Sequence, residues 1–316
     1  AWRIADEVRP LAGEGARRLF VATAPAAAAD HALESLLAVL GGVPLALVLL
    51  ARRYHDGHGD ATALLAQWHK RRTAAARHGT PNQPDSDLAF AIELSLDSPA
   101  LHPSLNAGQR LFALMGRLPD GIAAADRDAL LGDEALDAAA ALGTAGLAFA
   151  DDRDPTRRRM LAPVLAHAAG KPLANGDASS LAGHYLNLAA ALPQGDEQAV
   201  DRAAELRARA ELANLEDLLD DLLGEPGSTV PARDVSTLRH LAVVASTLAD
   251  NRLRLGGVAL AAAGFERAHR AITSLALADP GNAGWQHDLS VSWDMLGGVR
   301  EAQGDLQAAL DAYTQS

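Results

Sequence analysis

The sequence predicts an all-α protein that ends in helical repeats, and three observations support this fold class. Hydrophobic residues make up 49% of the 316 residues but aromatic residues only 4%, so the apolar material is mostly alanine and leucine. Both residues favour helices, whereas the long β-branched or aromatic runs that a large sheet needs are missing. Apolar residues recur at helical spacing along most of the chain, and a repeat signature lies near its end.

Charge and composition exclude several classes of function. The net charge of −12 opposes binding to a phosphate backbone, which makes nucleic acid a poor partner. The absence of cysteine rules out disulfides, a thiolate nucleophile and a cysteine-ligated zinc site. The longest apolar stretch, Val43–Ala51, is far shorter than the ~20 residues that span a bilayer. Charged residues between Arg3 and Arg9 do not fit a secretory signal, so we expect a cytoplasmic protein without a membrane partner.

The first predicted domain covers residues 1–80 and is a helical subdomain. Gly41 and Gly42 end one helix, and Pro44 suits the first turn of the next. Asp30 is the predicted cap of its helix. The predicted helices are Gly13–Ala22, Asp30–Leu40, Leu45–Tyr54 and Ala61–Arg77.

The second predicted domain, residues 81–172, has the pattern of a winged helix. Two short segments, Gly146–Ala150 and Arg159–Ala162, flank a charged turn and indicate a β-hairpin after a set of helices. The predicted helices are Asp87–Leu96, Asn106–Arg117, Asp126–Leu131 and Glu134–Ala145.

The third predicted region, residues 173–316, is helical and becomes repetitive. Helices are expected at Ser179–Ala191, Glu197–Ala210 and Leu212–Leu223, and from Ala232 onward. The chain begins without Met and stops at Ser316 inside a helical pattern, so we interpret it as part of a longer protein.

The strongest motif is a block with the spacing of tetratricopeptide repeats. Small residues let paired helices approach closely, and aromatic residues fill the groove to the next helix. A weaker earlier copy is predicted from Leu255-Gly256, 41 residues before Leu296-Gly297; an ordinary pair of amphipathic helices is the alternative. Such repeats bind a protein or peptide on their concave face. The signature residues are Trp293, Leu296, Gly297, Gly304, Ala309 and Tyr313.

The first 165 or so residues resemble the regulatory part of NB-ARC-type STAND ATPases, the signal-transduction class of plant-resistance and apoptotic ATPases. Leu11–Phe20 resembles the opening helix of the family's helical ARC subdomain, and Leu40–Leu47 (L-G-G-V-P-L-A-L) resembles its G-x-P motif. The segment from Leu111 through Pro119–Ile122 to Met160–Val164 resembles its winged helix. Repeats after the winged helix are also typical of the family.

The resemblance implies a nucleotide switch shared with residues outside this chain. It assigns an adenine contact to Pro44 beside Gly42, while a plain helix boundary explains the same residues. ATP or ADP with Mg²⁺ is then expected in the parent protein and no cofactor in this chain alone. The only Gly-Lys pair, Gly170-Lys171, is followed by Pro172, so the phosphate-binding loop is missing here. Met160–Ala162 departs from the family's M-H-D motif, which has a phosphate-sensing histidine.

Other clusters of polar residues are interpreted as solvated features. His55, Asp56, His58 and Asp60 lie in a glycine-containing loop rather than on a metal-binding helix. The Arg157–Arg159 turn and the carboxylates Glu216, Asp217, Asp220 and Asp221 are expected to face water. His167 and His184 have no partnered nucleophile, so we expect no catalytic triad and no metal site.

The sequence favours a regulatory and sensor part of a STAND ATPase, acting in signalling such as bacterial defence, and not an enzyme by itself. Partners would be a protein or peptide on the repeats, the missing nucleotide-binding domain, and further copies on activation. The first alternative is a constitutive tetratricopeptide scaffold. The second is a DNA-binding winged helix that uses Lys70, Arg71, Arg72 and Arg77, which the acidic charge disfavours.

Overall fold

The structure, a computed structural model, describes residues 10–77, 84–98, 101, 105–193, 201–224, 230–231 and 233–316. They form two compact units: residues up to Gly116 together with Gly121–Asn175, and Arg117–Asp120 together with Gly176–Ser316. The described part of the chain is mostly helical and contains one two-stranded sheet, which confirms the all-α class. In this same part, no helix is both long and apolar enough to cross a bilayer.

The helices of the first unit agree with the predicted ones to within about three residues at most ends. The largest differences are at two helix starts: α2 begins at Leu33 rather than at the predicted Asp30, and α5 begins at Pro84 rather than at the predicted Asp87. Proline suits a first turn because that turn has no intrahelical partner for its N–H groups. The helices are α1 (Gly13–Thr23), α2 (Leu33–Val39), α3 (Pro44–His55), α4 (Ala61–Arg77), α5 (Pro84–Leu96), α6 (Leu105–Met115), α7 (Ala124–Leu131), α8 (Ala135–Thr144) and α9 (Ala162–Ala169).

Asp30 supports a different helix from the one predicted. One carboxylate oxygen accepts the Ala32 N–H at 2.9 Å, but α2 starts later and has no side-chain cap. The other oxygen accepts the N–H of Ala61, the first residue of α4, at 3.0 Å, and the Tyr54 hydroxyl at 3.2 Å. These hydrogen bonds, that from Ala61 first, lower the pKa of Asp30. The prediction of a local cap was therefore wrong, since the carboxylate joins α3 to the start of α4.

The boundary between α2 and α3 is built as the glycine-proline pattern predicts. Gly41 and Gly42 have φ of 59° and 72°, a region that residues with a side chain rarely adopt. A Cβ on Gly42 would lie 2.3 Å from the Leu11 carbonyl oxygen, and the Leu11 N–H donates to the Gly42 carbonyl at 2.9 Å. Pro44 then starts α3 and is exposed to solvent.

A small sheet follows α8. Strands β1 (Phe149–Ala150) and β2 (Arg158–Arg159) pair antiparallel, with Phe149 opposite Arg159. Ile122 adds an isolated antiparallel bridge to Arg158 on the other edge of β2. The predicted hairpin is confirmed, but its second segment is shifted, because Ala162 already begins α9 with Pro163 in the first turn.

The second unit contains the remaining helices. Asp201 caps α11 by accepting the N–H groups of Ala203 and Ala204, so this helix begins after the predicted Glu197; residues 194–200 lie outside the described part. The helices are α10 (Asp177–Ala189), α11 (Arg202–Ala210), α12 (Leu212–Leu223), α13 (Val235–Arg254), α14 (Val258–Ala278), α15 (Ala283–Gln303) and α16 (Leu306–Tyr313). The last four follow one another as two helical hairpins, α13/α14 and α15/α16, and adjacent helices pack together throughout.

Candidate ligand-binding groove

The two hairpins of the second unit align with each other when the sequence is shifted by 48 residues. Gly256, at the end of α13, and Gly304, at the end of α15, have φ of 78° and 83° and turn the chain into the next helix. The same shift relates the buried Ala261 of α14 to the buried Ala309 of α16. The predicted register was wrong: Leu255 is an exposed residue at the end of α13, whereas Leu296 is buried in the middle of α15.

One glycine in each hairpin allows close contact between its two helices. A Cβ on Gly264 of α14 would lie 2.8 Å from the Ala249 Cβ of α13. In the second hairpin the position equivalent to Ala249 is Gly297, where a Cβ would lie 2.4 Å from the Tyr313 ring. The glycine lies on the second helix of the first hairpin and on the first helix of the second, and its neighbours, Ala249 and Tyr313, are not at equivalent positions. A search for matching letters therefore does not align the two hairpins.

A shared core joins the hairpins. It consists of buried residues from all four helices, with the half-buried Trp293 packed against them. Burial of these side chains from water is the main stabilising term of such an array. The buried members are Ala249, Ala261, Phe265, Leu296, Val299 and Ala312.

A groove of about 470 Å³ lies between α13 and α15, with α14 as its floor. Its size falls within the range of small-ligand and peptide pockets. Most of its lining is apolar, and Val243 and Val291, which the 48-residue shift relates, both line it. The lining residues are Arg239, Ala242, Val243, Ser246, Thr247, Asp250, Phe265, Ile272, Leu275, Asp288, Val291, Ser292 and Met295.

The groove combines exposed apolar side chains with charges of both signs. Val243 is 43% and Met295 39% exposed, although both are hydrophobic. At one end the Arg239 guanidinium lies over the Trp285 ring, 5.5 Å from its centroid. Asp288 lines the groove and has no hydrogen-bond or ion-pair partner among the described residues. Such a surface can bind a segment with apolar side chains and at least one basic group.

His269 and Ser292 form a structural hydrogen bond rather than a catalytic pair. The Ser292 hydroxyl donates to the Leu289 carbonyl at 2.7 Å, so the His269 Nδ1–H donates to the Ser292 oxygen at 2.8 Å. The His269 ring packs on Trp293 with centroids 4.2 Å apart. Burial, and then the charge of Arg300, lower the pKa of His269, which keeps the ring neutral. The serine proton is engaged by the backbone, which does not suit a nucleophile.

Two of the four acidic residues of α12, Glu216 and Asp220, form ion pairs and so differ from the solvated stripe predicted, whereas Asp217 and Asp221 are exposed to solvent as predicted. Arg252 of α13 binds both oxygens of Glu216 at 2.6 and 2.7 Å. Arg267 of α14 binds both oxygens of Asp220 at 2.6 and 2.5 Å. These bidentate ion pairs attach α12 to the first hairpin. The sequence spacing could not reveal them, because the arginines come from other helices.

The Arg157–Arg159 turn in the first unit also differs from the solvated turn predicted. Arg157 is buried and donates to the Gly121 carbonyl at 3.3 Å, and Arg159 pairs with Asp151 at 2.5 Å. Asp60 is exposed to solvent as predicted, and it also accepts the Ala63 N–H at 2.7 Å at the start of α4.

A second cavity, of about 310 Å³, lies in the first unit beside a charged cluster that the sequence did not indicate. The His167 Nε2 lies 2.6 Å from a Glu93 carboxylate oxygen, to which the Lys171 ammonium also donates. The hydrogen bond from His167 first, and then Lys171, lower the pKa of Glu93 to about 2. His167 lies in the last turn of α9 and Lys171 two residues beyond its end, and their four-residue spacing was the available signal.

The remaining predicted residues are separate from the groove. Gly42 and Pro44 lie at the start of α3 in the first unit, and Met160–Ala162 lead into α9. Lys70 is exposed on α4, but the side chains of Arg71, Arg72 and Arg77 lie outside the described residues. Sequence reasoning missed the groove lining, although the shared spacing of Val243 and Val291 could have indicated it. No protein-family model matches the chain, and neither a curated protein nor a solved structure does.

Proposed function

We propose that the second unit is a sensor that binds an extended or helical segment of a partner protein in the groove between α13 and α15. The observation that carries this proposal is the apolar groove between α13 and α15, the first helices of two successive hairpins. Exposed Val243 and Met295 supply apolar contact area, and unpaired Asp288 favours a basic residue of the ligand. The tandem hairpins support a tetratricopeptide-like architecture.

We further propose that the first unit is the regulatory part of a STAND-type ATPase, and that ligand binding in the groove biases a nucleotide switch of the parent protein. Support comes from the Gly42–Pro44 helix start, where Pro44 is exposed and accessible to a nucleotide. The β1–β2 hairpin after α6–α8 supports the winged-helix interpretation. Coupling requires that the ligand bind the two states of the switch with different affinity.

The binding site can be tested without knowledge of the natural ligand. Peptides are selected from a random phage library on the immobilised chain, and their affinity is measured by fluorescence anisotropy. Met295→Glu should weaken binding at least about tenfold, because it places a charge in the apolar groove. The matched control is Leu277→Glu, an equally charged change at an exposed leucine of α14 outside the groove lining. Selection of no peptide, or equal binding by both variants, contradicts the proposal.

The nucleotide switch is tested separately in the natural full-length protein. Calorimetry with ADP and with ATP should show binding that Pro44→Ala weakens. If the full-length protein bound neither nucleotide, a constitutive helical-repeat scaffold would be the better account, and the groove would keep its proposed role.

A further inference from the structure

The last helix, α16, has an exposed apolar face that its equivalent in the first hairpin does not have. Leu306, Leu310 and Tyr313 lie along one face of the helix and are 68%, 57% and 42% exposed. The 48-residue shift relates them to Val258, Ala262 and Phe265 of α14, none of which is exposed. At all three positions of this helical face, the residue of α16 is therefore more exposed than the equivalent residue of α14.

The first hairpin shows what covers this face. Phe265 belongs to the buried cluster, and Val258 and Ala262 pack against it. The same cluster contains Leu296 and Val299 of α15, with Trp293 packed beside them. Thus an amphipathic helix with a Trp-x-x-Leu-x-x-Val stripe covers the α14 face. The equivalent face of α16 has larger aliphatic side chains, since leucine replaces both Val258 and Ala262.

The charges around the α16 face favour a basic occupant. Glu301, which accepts the Tyr313 hydroxyl at 3.2 Å, and Asp311, which accepts from Gln307 at 3.0 Å, are both exposed beside it. The whole chain has a net charge of −12, so two copies repel each other. A basic helix gains from the same charges.

We propose that the Leu306–Leu310–Tyr313 face of α16 is a docking site for a basic amphipathic helix of a partner protein. The helix packs its apolar stripe on α16 as α15 packs on α14, and its basic residues lie next to Glu301 and Asp311. This site is distinct from the groove between α13 and α15.

The probe is a synthetic peptide with the α15 sequence, Ala283–Gln303, in which Asp294→Lys and Glu301→Lys make the exposed side basic. We expect it to bind the whole chain in fluorescence anisotropy, and more weakly as salt is added. Leu310→Glu in the chain should weaken binding at least about tenfold, whereas Leu277→Glu, at an exposed leucine of α14, should leave it unchanged. A control peptide that also carries Trp293→Ser and Leu296→Ser should not bind.

Three results would overturn the proposal. The first is no binding of the probe to the chain. The second is binding that survives Leu310→Glu but is lost in Met295→Glu, which would place the peptide in the groove instead. The third is self-association of the chain in sedimentation, abolished by Leu310→Glu, which would identify a second copy as the occupant. Circular dichroism checks that each variant remains folded.

Discussion

The close contact between Gly264 of α14 and Ala249 of α13 gives a quantitative test of the hairpin geometry. Gly264→Ala places a Cβ 2.8 Å from the Ala249 Cβ and 3.2 Å from its Cα, so the helices must separate. Overpacking of this kind costs about 2–3 kcal/mol, and the better helix propensity of alanine returns about 1 kcal/mol. We expect a net loss of about 1–2 kcal/mol in the free energy of unfolding. The matched control is Gly183→Ala in α10, where the new Cβ has no neighbouring atom within 4 Å. This control should raise the free energy of unfolding slightly.

The double variant Ala249→Gly/Gly264→Ala places the residue types of Gly297 and Ala312, at the equivalent positions of the second hairpin, into the first. It removes the clashing methyl group, and the two changes in helix propensity cancel. Its free energy of unfolding should lie within about 1 kcal/mol of the wild-type value. The loss should therefore be much smaller than the sum of the losses in the two single variants. Urea denaturation followed by circular dichroism measures all four proteins. Stabilisation by Gly264→Ala alone, or strict additivity in the double variant, would refute the proposed packing.

Two further predictions concern charged contacts. Hydrogen bonds from His167 and Lys171 lower the pKa of Glu93 from 4.5 to about 2, so the stability that Glu93 contributes is complete above pH 4.5 and is lost as the pH falls toward 2. Thermal melts of Glu93→Gln should lack this part of the pH dependence, and an unchanged pH profile would argue against the contact. Arg267→Met removes the bidentate ion pair with Asp220. It should lower the free energy of unfolding, measured by urea denaturation, by about 2 kcal/mol. In the Arg267→Met variant, the further change Asp220→Asn should lower the free energy of unfolding by less than it does in the wild type. Simple additivity of the two changes would show that the pair contributes nothing.

Local signals in the sequence were sufficient for the helices. Alanine and leucine at helical spacing defined α12 at both ends, and Gly41-Gly42 with Pro44 defined the start of α3. These features act within one turn of the chain, so no tertiary information was needed. Asp30 was misjudged for the opposite reason, because its partner Ala61 is 31 residues away. A carboxylate near a helix start is compatible with a local or a distant N–H, and the sequence does not distinguish them.

The sequence predicted a repeat, and the register given to its first copy does not agree with the helices. Leu255-Gly256 has the letters of Leu296-Gly297, yet Gly256 is a turn residue equivalent to Gly304. The true equivalent of Gly297 is Ala249, whose methyl group fits because Gly264 faces it. Close packing of the two helices needs a glycine at the contact and does not specify which helix carries it.

Methionine methyl NMR tests ligand binding in the groove most directly, because the chain has only three methionines. Met295 lines the groove, whereas Met115 and Met160 belong to the first unit. With ¹³C-methyl-labelled protein, a selected peptide should shift the Met295 signal, assigned through Met295→Leu, and leave the other two unchanged. An unshifted Met295 signal under saturating peptide would contradict the proposed binding site.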